Sequence, residues 1–419
     1  VSNPVRVTSR KRIYRRRRAL VFGTLAVLLA GGVYVPTAAA ADVPDAPAVI
    51  AAPDVPATEA VEPDFPDFGR GAIGAIGFDG VLASSGDQGP FPIASITKVV
   101  TALVVLDAKP LGAGEDGPDI EFTDADVQIY NDVLAQNGSL QPVSAGMVLT
   151  QRQTMETMLI PSANNYAESL ARWAYGSRDA YLTAARAWLD SHQLTDTVVE
   201  DANGLSPSNR STPADLVALG ELALADPTVA AIVAMPAAVE PGLGTIENTN
   251  QLLGTSGVDG IKTGTTDEAG ACLLFSTDIP VGGETVTVVG AILGAADHDV
   301  LDDAVVALLA SVTPGFHEVP LVHKGDPYAE YSTEWGSEAT AVAAESRSVL
   351  TWSDTPVTAE VSARPLESGA AGEDIGSVTF TVGDREYEVP LELDASLADP
   401  DLWWRVTNPP WARSAVPAA

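Results

Sequence analysis

Lysine is scarce in this chain of 419 residues: Lys11, Lys98, Lys109, Lys262 and Lys324 are all there are. Two of the five stand where they could do chemistry. Ser95-Ile96-Thr97-Lys98 opens a run of mostly apolar residues through Asp107 that lacks Gly and Pro, which predicts a buried helix. Spacing of i to i+3 puts the hydroxyl and the amine on one face. A desolvated amine loses part of its preference for the charged form, so Lys98 could take the Ser95 proton near neutral pH and leave a nucleophilic oxygen. The helix start adds unpaired backbone N–H groups beside it. Taken alone, a Ser-x-x-Lys reads as a capping serine next to a surface lysine.

Ser162-Ala163-Asn164 follows the apolar Met158-Leu159-Ile160-Pro161 and precedes another predicted helix; a capping turn is its plain reading. Lys262-Thr263-Gly264-Thr265 comes just before a predicted strand. There Gly264 lets a ligand lie close to an edge strand and Lys262 offers a cation. A local cation is needed for any anionic substrate group because 23 basic residues face 56 acidic ones, a net charge of -33. That balance argues against nucleic acid as a partner. One cysteine, Cys272, excludes an internal disulfide, and four histidines without HxxxH spacing argue against a zinc enzyme; no cofactor is implied.

The elements that must hold these residues read as follows. Residues 71–85 suggest a hairpin around Asp79-Gly80, residues 151–160, 164–175, 178–189 and 213–224 helices, with Thr212-Pro213 as a cap and first-turn pair. Residues 269–277 and 284–293 read as strands and 300–310 as a helix. A helix-rich middle flanked by strands from both ends predicts an α/β domain over 69–316. Short β runs at 356–363, 375–382 and 385–393 predict a separate all-β module over 317–397.

The ends differ. Residues 1–41 join a basic block, Arg6 through Arg18, to the apolar run 19–35 and the small residues 38–41, the order of an export signal or a signal-anchor. At about 1.5 Å per residue the apolar run spans about 25 Å, so cleavage and retention both stay open. The positive-inside rule leaves the basic end in the cytoplasm and the bulk of the chain outside, carrying 15 basic against 56 acidic residues once that block is set aside. Residues 42–68, rich in Pro, Ala and acids, read as an extended, self-repelling linker. The tail 398–419 holds three of the seven tryptophans, which would pack on a domain or dip into a membrane interface, packing being the preferred reading.

The three short motifs in this order resemble the SxxK, SDN and KTG set of penicillin-binding proteins and class A β-lactamases. The resemblance is closer to the low-molecular-mass D-alanyl-D-alanine carboxypeptidases. It extends to the segment Pro161 through Asn165, Asn203-Gly204-Leu205-Ser206, Ser211 through Leu216 and Asn248 through Leu253. It implies a β-lactamase/DD-peptidase-like domain, an antiparallel sheet flanked by an α-helical region, followed by a small all-β domain. It also implies roles. Ser95 attacks the penultimate D-alanine carbonyl of a peptidoglycan stem peptide with Lys98 as base; Ser162 relays a proton to the departing D-alanine; Asn164 bonds the substrate amide; Lys262, Thr263 and Thr265 receive the terminal carboxylate beside Gly264, with Lys262 also steadying Ser162. The backbone N–H groups of Ser95 and Thr265 form the oxyanion hole, and β-lactams acylate Ser95.

The sequence departs from the pattern in the SAN triplet, in Asn165 where an Asp is common, and in the missing basic residues after Leu293-Gly294-Ala295, where His298 is the only candidate. No ExxLN-like segment supplies a deacylating glutamate, which argues against a β-lactamase. The expected activity is removal of the terminal D-alanine through a Ser95 acyl-enzyme. The alternatives are a D,D-transpeptidase or a slow penicillin-binding scaffold of the cell wall, and the membrane is a partner through the N-terminal segment if it is uncleaved.

Overall fold

The computed structural model describes residues 10–413, so the first basic residue of the N-terminal block and the last six residues of the tail lie outside the described part. The chain divides into two compact units: residues 59–318 with 351–354, and residues up to 58 with 319–350 and 355 onward.

The first unit is built on a five-stranded antiparallel sheet. Its order is Val258–Thr266, Gly270–Val281, Glu284–Ala295, Arg70–Ala75, Ala83–Gly86. The hairpin and the two strands expected from the sequence are present, the strands longer by a few residues at their ends. Strand alternation sends successive side chains to opposite faces. Ile261, Leu274 and Val289 meet on one face, where a Cβ added to Gly220 would lie 2.5 Å from Val289; that glycine lets helix Pro213–Ala225 press onto the sheet. This helix starts as its sequence dictates: the Thr212 hydroxyl accepts the Asp215 N–H at 3.1 Å and Pro213 fills the first turn. The other face carries Leu273, Phe275 and Ile292, all buried, and helix His298–Val312 packs on these strands.

The helical region comprises Thr97–Ala108, Asp124–Ala135, Gln151–Leu159, Asn164–Tyr175 and Arg178–Ser191. Helix Thr97–Ala108 is buried on every side from Thr97 to Leu106, as an all-round apolar helix must be. Several elements went unread in the sequence, these two among them. Helix Asp124–Ala135 buries only Ile129 and Val133 among its residues. Strand Val258–Thr266 holds the whole Lys262–Thr265 motif, which the sequence had placed just before a strand.

The second unit is a six-stranded antiparallel sheet in the order Val49–Ile50, Pro327–Ser332, Glu338–Ala343, Arg385–Leu393, Asp374–Val382, Val357–Ala363. Tyr331, Phe380, Val378 and Leu391 fill its core. Residues 42–58 are therefore not a free linker. Val49 and Ile50 pair with Glu330 and Ala329 at the sheet edge, and Ala46 exchanges backbone hydrogen bonds with Leu366. Apolar side chains at Val43 and Ala46 bury themselves and outweigh the mutual repulsion of a few exposed acids. Helix Arg10–Ala39 precedes this segment, and its portion from Arg12 is long and apolar enough to cross a membrane.

Candidate active site

Ser95 sits in the short 3-10 turn Ala94–Ile96 that leads into helix Thr97–Ala108, two residues before that helix begins. Lys98, a full turn on, is completely buried. Its Nζ lies 2.8 Å from Ser95 Oγ, 2.6 Å from Asn164 Oδ1 and 2.7 Å from the Asn203 carbonyl. Those three acceptors fix the amine against the hydroxyl. Burial drives the Lys98 amine well below its ordinary range, the nearby Lys262 pushes it the same way, and Asp201 and Glu168 oppose them. The site thus favours the neutral amine, the form that can accept a proton from Ser95.

The Asn203 carbonyl is held by Asp201. The two carboxylate oxygens of Asp201 accept the N–H groups of Asn203, Gly204 and Ser206 at 3.2, 2.6 and 2.6 Å, and the Asn209 side-chain amide at 2.6 Å. Glu168 accepts the Ala202 N–H, and the Thr101 hydroxyl donates to the Ala202 carbonyl. Gly204 has φ +89°, and a Cβ there would stand 2.1 Å from the Ala94 carbonyl oxygen, so this loop presses directly on the nucleophile's turn. Asp201 was missed in the sequence; its signal was an acid two residues before an Asn-Gly turn.

Ser162 and Asn164 straddle the start of helix Asn164–Tyr175. Asn164 spends its Oδ1 on Lys98, which leaves the amide N–H₂ as its donor. Next to it Asn165 clamps the loop at Gln141, donating to the Gln141 carbonyl and accepting the Gln141 N–H. That is a structural use of a side chain that departs from the family pattern. Ser162 has φ +62° and is 5% exposed, and among the described residues its hydroxyl has no hydrogen-bond partner. The expected Lys262–Ser162 contact is not formed.

Lys262 instead donates, at 3.4 Å each, to the hydroxyls of Thr249 and Thr263, which are 2.6 Å apart. Its amine is pushed down to about 7 by burial. Thr265, three residues on, is exposed, and its hydroxyl lies 2.7 Å from His298 Nε2. His298 opens helix His298–Val312, so the only basic candidate after Ala295 does reach the Lys262 strand. Gly264 is what brings that strand to the nucleophile: a Cβ there would lie 2.9 Å from the Ile93 carbonyl oxygen and 3.1 Å from Ser95 N. The structure brings Ser95, Lys98 and Asn164 into one hydrogen-bonded group. It sets Gly264 against Ser95 and puts Lys262, Thr263, Thr265 and His298 along one edge strand and its neighbours. Arranged so, the groups can activate a hydroxyl, hold a carbonyl oxygen on backbone N–H groups and receive a carboxylate.

The chain is 31% identical over 207 residues to a D-alanyl-D-alanine endopeptidase of Pseudomonas aeruginosa, covering 48% of this chain and 63% of that protein. It is 32% identical over 196 residues to the D-alanyl-D-alanine carboxypeptidase DacB2 of Mycobacterium tuberculosis, covering 45% and 63%. The alignments thus span less than two thirds of these relatives. In fold it is similar to a peptidoglycan synthesis regulatory factor, PBP3, from Streptococcus pneumoniae, with a TM-score of 0.58 at 22% identity over 80% of this chain and 99% of that one. A profile of the family described as D-alanyl-D-alanine carboxypeptidase matches residues 79–296, half of the chain and all of it from Ser95 to Thr265. By that match the chain belongs to the D-alanyl-D-alanine carboxypeptidase family.

Proposed function

We propose that the protein is a serine-type D-alanyl-D-alanine carboxypeptidase that removes the terminal D-alanine from peptidoglycan stem peptides outside the cytoplasmic membrane. The observation that carries this reading is the 2.8 Å approach of a fully buried, charge-disfavoured Lys98 amine to Ser95 Oγ. Ser95 Oγ attacks the penultimate D-alanine carbonyl while its proton passes to Lys98 Nζ. The oxyanion accepts from the backbone N–H groups of Ser95 and Thr265. The departing D-alanine amine takes its proton by way of Ser162, whose hydroxyl is free to turn. Water then attacks the ester and regenerates Ser95. Asn164 donates its amide to the peptide. Lys262, Thr263, Thr265 and His298 receive the terminal carboxylate, and Gly264 leaves room for it.

β-Lactams, which imitate the same dipeptide, acylate Ser95. The test is release of free D-alanine from diacetyl-L-Lys-D-Ala-D-Ala by the full chain in detergent. Release is expected from the wild type and none from Ser95→Ala. Equal release by the mutant rejects Ser95. Labelling of Ser95 by a fluorescent penicillin without release transfers the reading to a D,D-transpeptidase or a slow scaffold.

A further inference from the structure

The C-terminal tail carries an aromatic surface that the proposed chemistry does not use. Helix Leu402–Thr407 is capped by Asp401, which accepts the Trp404 N–H at 2.7 Å. The tail is tied on two sides within its own unit. On one side Trp404 packs edge-to-face on Trp335 with ring centres 5.1 Å apart, and Trp335 donates to the Ala398 carbonyl at 2.6 Å. On the other side it grips the end of helix Arg10–Ala39. The Tyr34 hydroxyl donates to the Val406 carbonyl at 2.9 Å, the Tyr34 and Trp411 rings meet at 5.9 Å, and Arg405 donates to the carbonyls of Ala41 and Ala39 at 2.9 and 3.4 Å. With its polar groups spent in this way, the tail leaves Leu402, Trp403 and Trp411 turned outward, 57%, 74% and 53% exposed.

We propose that these three side chains seat on the outer interface of the bilayer that the N-terminal helix crosses, as an aromatic collar around its exit, and that the helix is retained as an anchor. Continuity is the argument. Leu25, Val27, Leu28, Leu29 and Val33 are exposed along the same helix, a surface that only acyl chains cover favourably. Tyr34 closes its apolar run. At about 1.5 Å per residue the run's 17 residues end about 25 Å from the basic end, at the level of the outer headgroups, where Trp and Tyr are favoured. Trp411 meets Tyr34 edge-to-face at that level. Charge does not draw the tail there, since Asp399 and Asp401 balance Arg405 and Arg413 in a strongly acidic chain; the seat is aromatic and indifferent to lipid charge. Cleavage at residues 38–41 would sever Tyr34 from the tail and cut at or beside the carbonyls that Arg405 holds.

The test uses the full chain in nanodiscs of phosphatidylcholine brominated at the headgroup end of the acyl chains, reading tryptophan emission against unbrominated discs. Quenching is expected. In the Trp403→Ala/Trp411→Ala double variant most of it is lost. Trp188→Phe, which changes a ring stacked on His192 in the other unit, keeps it, and so does the addition of phosphatidylglycerol. Circular dichroism melting shows that each variant is folded. Full quenching in the double variant, or none in the wild type, overturns the proposal. So does a Trp403→Cys chain that cross-links to a second copy without quenching, which would make the surface an interface between copies. None of these readouts depends on peptidase activity.

Discussion

Two buried lysines within one site set its pH behaviour. Lys98 must lose its proton to act as a base, and burial already lowers its affinity for that proton. Acylation of Ser95 by a penicillin should therefore speed up as pH rises through that lowered value and then level off. Lys98→Arg, which stays charged at every accessible pH, should flatten the profile near zero. Lys262 has the opposite use, since its charge is wanted for the substrate carboxylate, and folding pays for keeping it buried. Its amine falls from 10.5 unfolded to about 7 folded. Between those values the unfolded chain binds more protons, so this residue's contribution to stability rises with pH from about 7 to about 10.5, and the penalty is complete below 7. Lys262→Met should then raise the melting temperature at pH 6, by roughly a few kcal/mol of stability, with the gain vanishing toward pH 10.5. The same change should raise KM for the peptide and slow penicillin attack as well, since both present a carboxylate to Lys262. The Ser95-x-x-Lys98 spacing made the first lysine legible in the sequence. What the second one touches was not legible, because Thr249 lies 13 residues away and only the fold brings their side chains together.

At the scale of elements, the site is a clamp: the loop from Asp201 to Ser206 presses on the nucleophile's turn from one side and strand Val258–Thr266 from the other. Both approaches rest on a glycine. Gly264→Ala puts a methyl group 2.9 Å from a backbone oxygen that cannot yield as a flexible side chain would. The strand must back away from Ser95 N, so the acylation rate should drop by about tenfold or more, some 1.4 kcal/mol of transition-state binding. The far-UV spectrum should stay native; an unchanged rate would mean that the strand does not hold the oxyanion. The helices that position the site were readable because their apolar residues recur with helical period and their caps are explicit, as at Thr212-Pro213. Strand Val258–Thr266 was not, because Gly260, Lys262, Gly264 and four polar neighbours erase the alternation that marks a strand. Its hydrogen bonds to Gly270–Val281, which pair Lys262 with Leu274 and Gly264 with Cys272, supply the order that its side chains do not. An edge strand whose inner neighbours do the hydrophobic work can carry a substrate-binding motif in place of a core pattern.

For the whole molecule, the two units meet in the sequence rather than in their composition: the second unit takes residues from both ends of the chain and encloses the first unit's segment between them. That interleaving is invisible to a left-to-right reading of composition, which saw only prolines and acids between 42 and 68. It has a practical consequence. A fragment begun at residue 67 keeps every residue of the candidate site but strips strand Val49–Ile50 from the sheet edge and Ala46 from Leu366. It loses the backbone bonds of Ala46 with Leu366 and of Ala51 with Tyr328. At about 1 kcal/mol net per bond these three are worth about 3 kcal/mol, which for a unit of about 100 residues lowers melting by more than about 10 °C. The fragment also leaves Pro327–Ser332 as an open edge, a template for pairing between chains. A fragment begun at residue 42 should show a higher second melting transition in calorimetry and stay monomeric at concentrations where the shorter one associates. Both should label with penicillin at the same rate, since the site lies wholly in residues that the two share. If the two fragments melt alike, the edge strand contributes nothing, and residues 42–58 act only as the spacer that their composition suggested.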